Sequence, residues 1–170
     1  MVEKKKSFLG IQDLTVEEIN SLLDLAEEIK EITNAGKRVN ASLKGKRIVN
    51  LFLEPSTRTR IAFEIAAKSL EADVISIAEK SSSLTKGESL RDTARNIQAL
   101  GADAIVLRHS SPGSAQYLSS IISVPVINAG DGAHEHPSQA LLDLFTLREK
   151  LGDLRGKKIG IPKEYLIADS

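Results

Sequence analysis

Apolar positions fall into two periods along the chain. Ile19, Leu22, Leu23, Ala26 and Ile29 recur at helical spacing on one face. Thr15-Val16-Glu17-Glu18 precedes them as a capping box, in which a threonine hydroxyl and a glutamate carboxylate each satisfy an N–H that an opening helix leaves unpaired. Asn34-Ala35-Gly36 supplies the stop, because glycine suits the left-handed position after a helix. Beyond that point the period switches repeatedly. Short apolar runs at 47–54, 74–78, 104–107 and 124–128 predict strands. Helical patterns at 57–70, 90–100, 114–122 and 137–150 separate or follow them. Pro125 lies inside the last strand pattern and implies an edge or an irregular start, since proline cannot donate to a ladder. Pro137 takes the first helical position, where its missing N–H costs nothing. Residues 81–87 form a polar loop.

Four strands alternating with helices predict an α/β fold: a three-layer domain whose four-stranded, or slightly larger, parallel sheet is covered by helices on both faces. In such sheets ligands gather beyond the carboxyl ends of the strands. Composition agrees with one globular domain. The chain has 170 residues, 41% hydrophobic and 27% charged, enough to bury a core. A formal net charge of zero argues against a nucleic-acid partner, which needs a basic face. Lys4-Lys5-Lys6 reads as a solvated terminal run. There are no cysteines, which excludes a disulfide framework, a thiolate nucleophile and thiolate-bound metal. No stretch has the length of a membrane span or the pattern of a signal peptide, so the expectation is a cytoplasmic protein without a membrane partner.

Candidate chemistry lies where each strand ends. The first delivers Ser56, Thr57, Arg58 and Thr59 of "EPSTRTR" into the start of a helix. A helix N-terminus offers unpaired N–H groups and partial positive charge, and hydroxyls with an arginine fork complete an anion site without a glycine-rich loop. The same residues also fit a plain serine cap beside solvated arginines. The second strand leads to "SSSLTKGES", where Lys86 by itself reads as a surface lysine. The third ends in Arg108, a charge close to a buried strand that needs a partner, either a ligand or a neighbouring carboxylate. The fourth ends in "NAGDGAHEHPSQ". His134 and His136 lack a third ligand at metal-site spacing, so no metal is expected. His136 precedes a helix and can donate to a carbonyl, and Gln139 can hold an amide. Alternatively His136 caps that helix and Gln139 is merely exposed.

Taken together, these segments resemble the aspartate/ornithine carbamoyltransferase family. "FLEPSTRTRIAFE" is similar to the family's carbamoyl-phosphate motif and "KGESLRDTARNI" to its mobile lysine loop. "AIVLRH" and "VINAGDGAHEHPSQALLDLFTLRE" are similar to its two remaining segments, in order and at family spacing from about Phe8 to Ile159. The resemblance implies phosphate contacts at Ser56, Thr57, Arg58 and Thr59. It implies carbonyl-polarising groups at Thr59, Arg108 and His136, and an amide contact at Gln139. It implies that Ser82 and Lys86 reach a neighbouring subunit's site, hence a homotrimer, with a regulatory chain as a further partner. No cofactor is implied. Ser138 stands where ornithine enzymes usually carry cysteine, which favours the aspartate branch over the ornithine one.

The implied reaction transfers the carbamoyl group of carbamoyl phosphate to L-aspartate, in pyrimidine biosynthesis. It needs orientation and charge matching rather than a side-chain nucleophile. Residues 1–150 are expected to be the carbamoyl-phosphate-binding domain, and residues 151–170 a linker and aborted start of the amino-acid-binding domain. "GKKIGI" there resembles that domain's first strand, whereas "PKEYLIADS" carries no family motif. The expectation is a phosphate half-site with little or no turnover by this chain alone. The alternatives are a non-catalytic trimeric module that holds a phosphate ligand, or the matching half of an ornithine enzyme. A nucleotide-binding domain is disfavoured because no G-x-G-x-x-G or G-x-x-x-x-G-K-[ST] loop follows the first strand.

Overall fold

A computed structural model describes residues 6–78 and 88–160. After a 3-10 turn at Ile11–Asp13, the elements run α1 (Val16–Asn34), β1 (Arg47–Phe52), α2 (Thr57–Ser69), β2 (Asp73–Ala78), α3 (Leu90–Ala99), β3 (Ala104–His109), α4 (Ser114–Ile121), β4 (Val126–Asp131) and α5 (Pro137–Leu151). The capping box forms as its sequence predicts. Thr15 Oγ1 accepts from Glu18 N at 3.2 Å, and Glu18 Oε2 accepts from Thr15 N at 2.9 Å.

The four strands make one parallel sheet in the order β2-β1-β3-β4. The chain moves outward from β1 to β2 and then returns to the other side of β1 for β3. Connections therefore leave in opposite directions beyond the carboxyl ends of β1 and β3, opening a crevice between them. This switch point fixes where a ligand can enter.

Two apolar clusters sandwich the sheet. Val49, Leu51, Ile105, Leu107 and Val126 meet Ala94 and Ile97 of α3 and Ala115 and Leu118 of α4 on one face. Ile48, Phe52, Val106 and Ala129 meet Ala67 and Phe63 of α2 on the other. Helix α5 lies beside β4, and α1 packs on α5. The central strands β1 and β3 are almost continuously buried, which is why they read as unbroken apolar runs.

Two edges differ from expectation. β2 is largely exposed, Ile75 to 47%, so the sheet is not covered on both faces along its whole width. β4 runs Val126–Asp131 rather than 124–128. Pro125 has no N–H for the ladder and contributes only its carbonyl, to Ile105 N at 3.0 Å, while pairing resumes at Asp131 after a register shift beyond Asn128. The outer edge of β4 is capped by the N-terminal segment: Phe8 N donates to Val126 O at 2.9 Å, and Asn128 N donates to Phe8 O at 2.8 Å. Residues 157–160 belong to no helix or strand, so the described part of "GKKIGI" forms no strand.

Candidate active site

Three strand exits converge on one open cleft of about 970 Å³. Ser56, Thr57, Arg58 and Thr59 come from the β1 exit, Arg108 from β3, and His136, Ser138 and Gln139 from the β4 exit and α5. Seven residues singled out from sequence as ligand contacts therefore share one wall. The other two, Ser82 and Lys86, lie outside the described residues.

At the β1 exit, Ser56 occupies the N-cap of α2 with extended backbone, yet its hydroxyl makes no capping bond. The serine-cap alternative thus fails: the side chain is left for another partner. No acidic residue lies in the first turn of α2. The side chains of Ser56, Thr57, Arg58 and Thr59 form no hydrogen bond or ion pair with any described residue. The helical bonding of α2 opens with Arg60 N to Ser56 O, at 3.4 Å, and the N–H groups of Thr57, Arg58 and Thr59 meet no acceptor among the described residues. Hydroxyls, amides and a guanidinium here lack an acceptor among the described residues, an arrangement that suits an anion electrostatically.

Arg108 is the buried cation of the cleft, 9% exposed. Its Nε lies 3.4 Å from Glu54 Oε2, an ion pair without the alignment of a directed hydrogen bond. Its Nη1 donates to Ala129 O at 3.3 Å and meets His136 Nε2 at 3.2 Å. A guanidinium only donates, so Nε2 accepts and the tautomer that fits carries its proton on Nδ1, 3.3 Å from Ser138 Oγ. His136 stands at the N-cap of α5, but its ring does not cap the helix. The carboxylate reading of Arg108 holds, with Glu54 as the neighbour, and the guanidinium also lines the cleft.

Gly130 makes room for this arrangement. Its φ is +120°, and a Cβ there would lie 3.1 Å from Arg108 Nη1 and 3.4 Å from His136 Cδ2. On α5, Gln139 donates Nε2 to Asp143 Oδ1 at 2.9 Å, and its Oε1 accepts from no described residue. The amide is thereby turned so that an acceptor remains for a ligand N–H.

Sequence reasoning passed over Glu54, Gly130, Asp131 and Asp143. Glu54 and Asp131 stand inside the quoted motifs, and Gln139 with Asp143 has the i, i+4 spacing of a helical side-chain pair. Gly130 carries no signal until its φ is known. His109, just past Arg108, has its pKa lowered by burial, opposed by the charges of Glu54 and Asp131. No cluster of histidine, cysteine or carboxylate side chains suited to a metal occurs among the described residues. No described helix is long and apolar enough to cross a membrane.

Comparison with known proteins gives this geometry a family. Residues 6–149 match the model of the aspartate/ornithine carbamoyltransferase carbamoyl-P binding domain. The aspartate carbamoyltransferase catalytic subunit of Opitutus terrae is 56% identical over 164 residues, 96% of this chain and 52% of that protein. The catalytic subunit of Halothermothrix orenii is 52% identical over 159 residues, 94% of this chain and 51% of that protein. Among solved structures, aspartate transcarbamoylase from Trypanosoma cruzi in complex with carbamoyl phosphate and aspartate superposes with a TM-score of 0.82 at 35% identity, covering 89% of this chain and 46% of that one. The M. jannaschii catalytic subunit gives 0.79 at 43% identity, covering 88% and 49%. The chain spans about half the length of the curated relatives it matches. It belongs to the aspartate/ornithine carbamoyltransferase family, and the match covers that family's carbamoyl-phosphate-binding domain.

Proposed function

We propose that the cleft binds carbamoyl phosphate and that this chain supplies the carbamoyl-phosphate half of an aspartate carbamoyltransferase, with residues 1–150 as the binding domain. The observation that carries the reading is the convergence, at one switch point, of an unpaired helix N-terminus with Arg58 and a buried Arg108–His136 pair. The phosphate sits on Ser56, Thr57, Arg58 and Thr59. The carbonyl oxygen lies toward Thr59, Arg108 and His136, and the carbamoyl N–H donates to Gln139 Oε1. Ligand entry exchanges the Arg108–His136 contact for one bond from each to the carbonyl, with the histidine proton then on Nε2.

The chemistry follows from that pose. The uncharged amine of L-aspartate attacks the carbonyl carbon and a C–N bond forms. The carbonyl oxygen takes up negative charge, which Arg108, Thr59 and His136 stabilise. The C–O bond to phosphate then breaks, its electron pair leaves with the phosphate, and the departing phosphate takes up the proton that the nitrogen loses. Cations and amides at α2 stabilise the departing anion. No side-chain nucleophile takes part, and rate comes from orientation and charge complementarity.

L-aspartate requires groups from a second domain. Assembly is a homotrimer in which Ser82 and Lys86 complete a neighbour's site, with a regulatory chain as a further partner and the cytoplasm as location. The aspartate branch is favoured by the names of the relatives and by Ser138. The 170-residue chain assayed alone should yield little N-carbamoyl-L-aspartate, since the entropic gain of holding both reactants, up to ~7–11 kcal/mol, is absent.

A calorimetric titration with carbamoyl phosphate tests the reading. The parent chain should bind, and Arg58→Ala should weaken binding by about 10- to 100-fold, the worth of a charged hydrogen-bonding pair. Equal binding by both would place the phosphate elsewhere and overturn the assignment. Turnover by the chain alone at the rate of a full-length relative would overturn the claim that it supplies only half a site.

A further inference from the structure

Asp131 ends β4, is fully buried, and lines no part of the cleft. Four groups surround its carboxylate. Oδ2 accepts from Gly113 N at 2.7 Å and lies 3.2 Å from His134 Nδ1. Oδ1 accepts from Glu135 N at 2.9 Å and from Asn128 Nδ2 at 3.2 Å. Its own N–H donates to Glu135 O at 3.1 Å, so residues 131–135 close into a loop that ends one residue before His136. Gly113 belongs to the other exit, the loop that follows Arg108 and His109 and opens α4. The two exits also touch directly: a Cβ on Gly132 would lie 2.3 Å from Ser110 O.

We infer that Asp131 is a positioning residue that locks the β3 and β4 exits together and so holds the Arg108–His136 pair in register for the carbamoyl carbonyl. A buried carboxylate with this many donors is rigid, because any movement strands an acceptor or a donor without water. Asn128 extends the clamp. Its Nδ2 also donates to Leu9 O at 2.9 Å, and its Oδ1 accepts from Gly130 N at 2.9 Å, beneath Arg108. The phosphate-holding end of α2 lies on a different strand exit and makes no bond to this cluster. The carboxylate therefore acts on one end of the ligand and not the other.

The inference rests on the carbamoyl-phosphate reading, and its test separates the two. Affinities for carbamoyl phosphate and for inorganic phosphate are measured on the 170-residue chain and on Asp131→Asn. The amide nitrogen turns a donor toward Gly113 N–H or toward Glu135 N–H, and one side of the clamp opens. Phosphate affinity should stay within about twofold, while the margin of carbamoyl phosphate over phosphate should fall by about tenfold, as expected for disturbing bonds from charged groups. Unchanged margins overturn the inference. Loss of both ligands in parallel by a folded variant also overturns it, since a merely structural role would do that. If Asp131→Asn does not fold, His134→Ala decides. It removes one donor from a half-exposed position, and the margin should still shrink with phosphate unaffected; an unchanged margin overturns the inference. A parent that binds neither ligand sinks the carbamoyl-phosphate reading itself, and a parent without any margin sinks its carbonyl half.

Discussion

Gly130→Ala is the substitution that bears most directly on the site's geometry. The residue has φ +120°, a region that side chains other than glycine's rarely adopt, and forcing it costs about 1–3 kcal/mol. The new methyl would lie 3.1 Å from Arg108 Nη1, so the guanidinium must yield by a few tenths of an ångström. Its bonds to Ala129 O and His136 are already 3.3 and 3.2 Å, and such a shift lengthens them beyond useful range. Losing a bond from a charged donor costs about 1.5–3 kcal/mol, so the two effects together come to about 2.5–6 kcal/mol. For a domain of this size that lowers the melting temperature by about 5–24 °C. Thermal unfolding followed by circular dichroism reads the stability, and calorimetry with carbamoyl phosphate reads the site. Affinity should fall as well, because the displaced group is the proposed carbonyl donor. A variant that melts within about 2 °C of the parent and binds as tightly would refute the packing of Arg108 against Gly130.

Three other outcomes follow from the same structure. Thr15→Ala removes one half of the reciprocal cap on α1 and should cost about 1 kcal/mol in chemical denaturation; adding Glu18→Ala should cost less than its separate effect, since the two bonds act as one unit. Leu107→Ala empties a fully buried position in β3 and should cost about 2–5 kcal/mol by the same measurement. His109 has a folded pKa below its ordinary value of 6.5, so the unfolded chain binds the proton more tightly. Its contribution is complete above the unfolded pKa and is lost as pH falls through the folded one. Melting temperature should therefore drop on acidification from about pH 8 to about pH 5, and less steeply in His109→Gln. Protonation would also end the bond from Ser111 N to Nδ1, at 2.9 Å. An identical slope in both proteins would refute that assignment.

Among the described residues, periodicity located the nine long elements, β4 with shifted bounds, because a buried strand and a helix with one apolar stripe leave different repeats. The capping box at Thr15 and the proline opening α5 are local chemistry and form as the sequence implies. The motif residues at the strand exits were legible for the same reason: Ser56 to Thr59 follow an apolar run directly, and Arg108 ends one. What the sequence does not carry is strand order. The sequence of β2-β1-β3-β4, with its crevice between β1 and β3, is set by how helices pack across the sheet, and it alone brings three distant exits to one cleft. The start of β4 at Val126 and the cap that Phe8 places on its edge depend on long-range pairing. The partners Glu54 for Arg108, Asp143 for Gln139, and the four donors around Asp131 are likewise matters of distance in space. Composition and spacing thus determined which candidate groups this protein presents at its strand exits. Tertiary structure decided which of them meet, because a buried charge or a glycine at positive φ acquires its meaning only from the atoms packed against it.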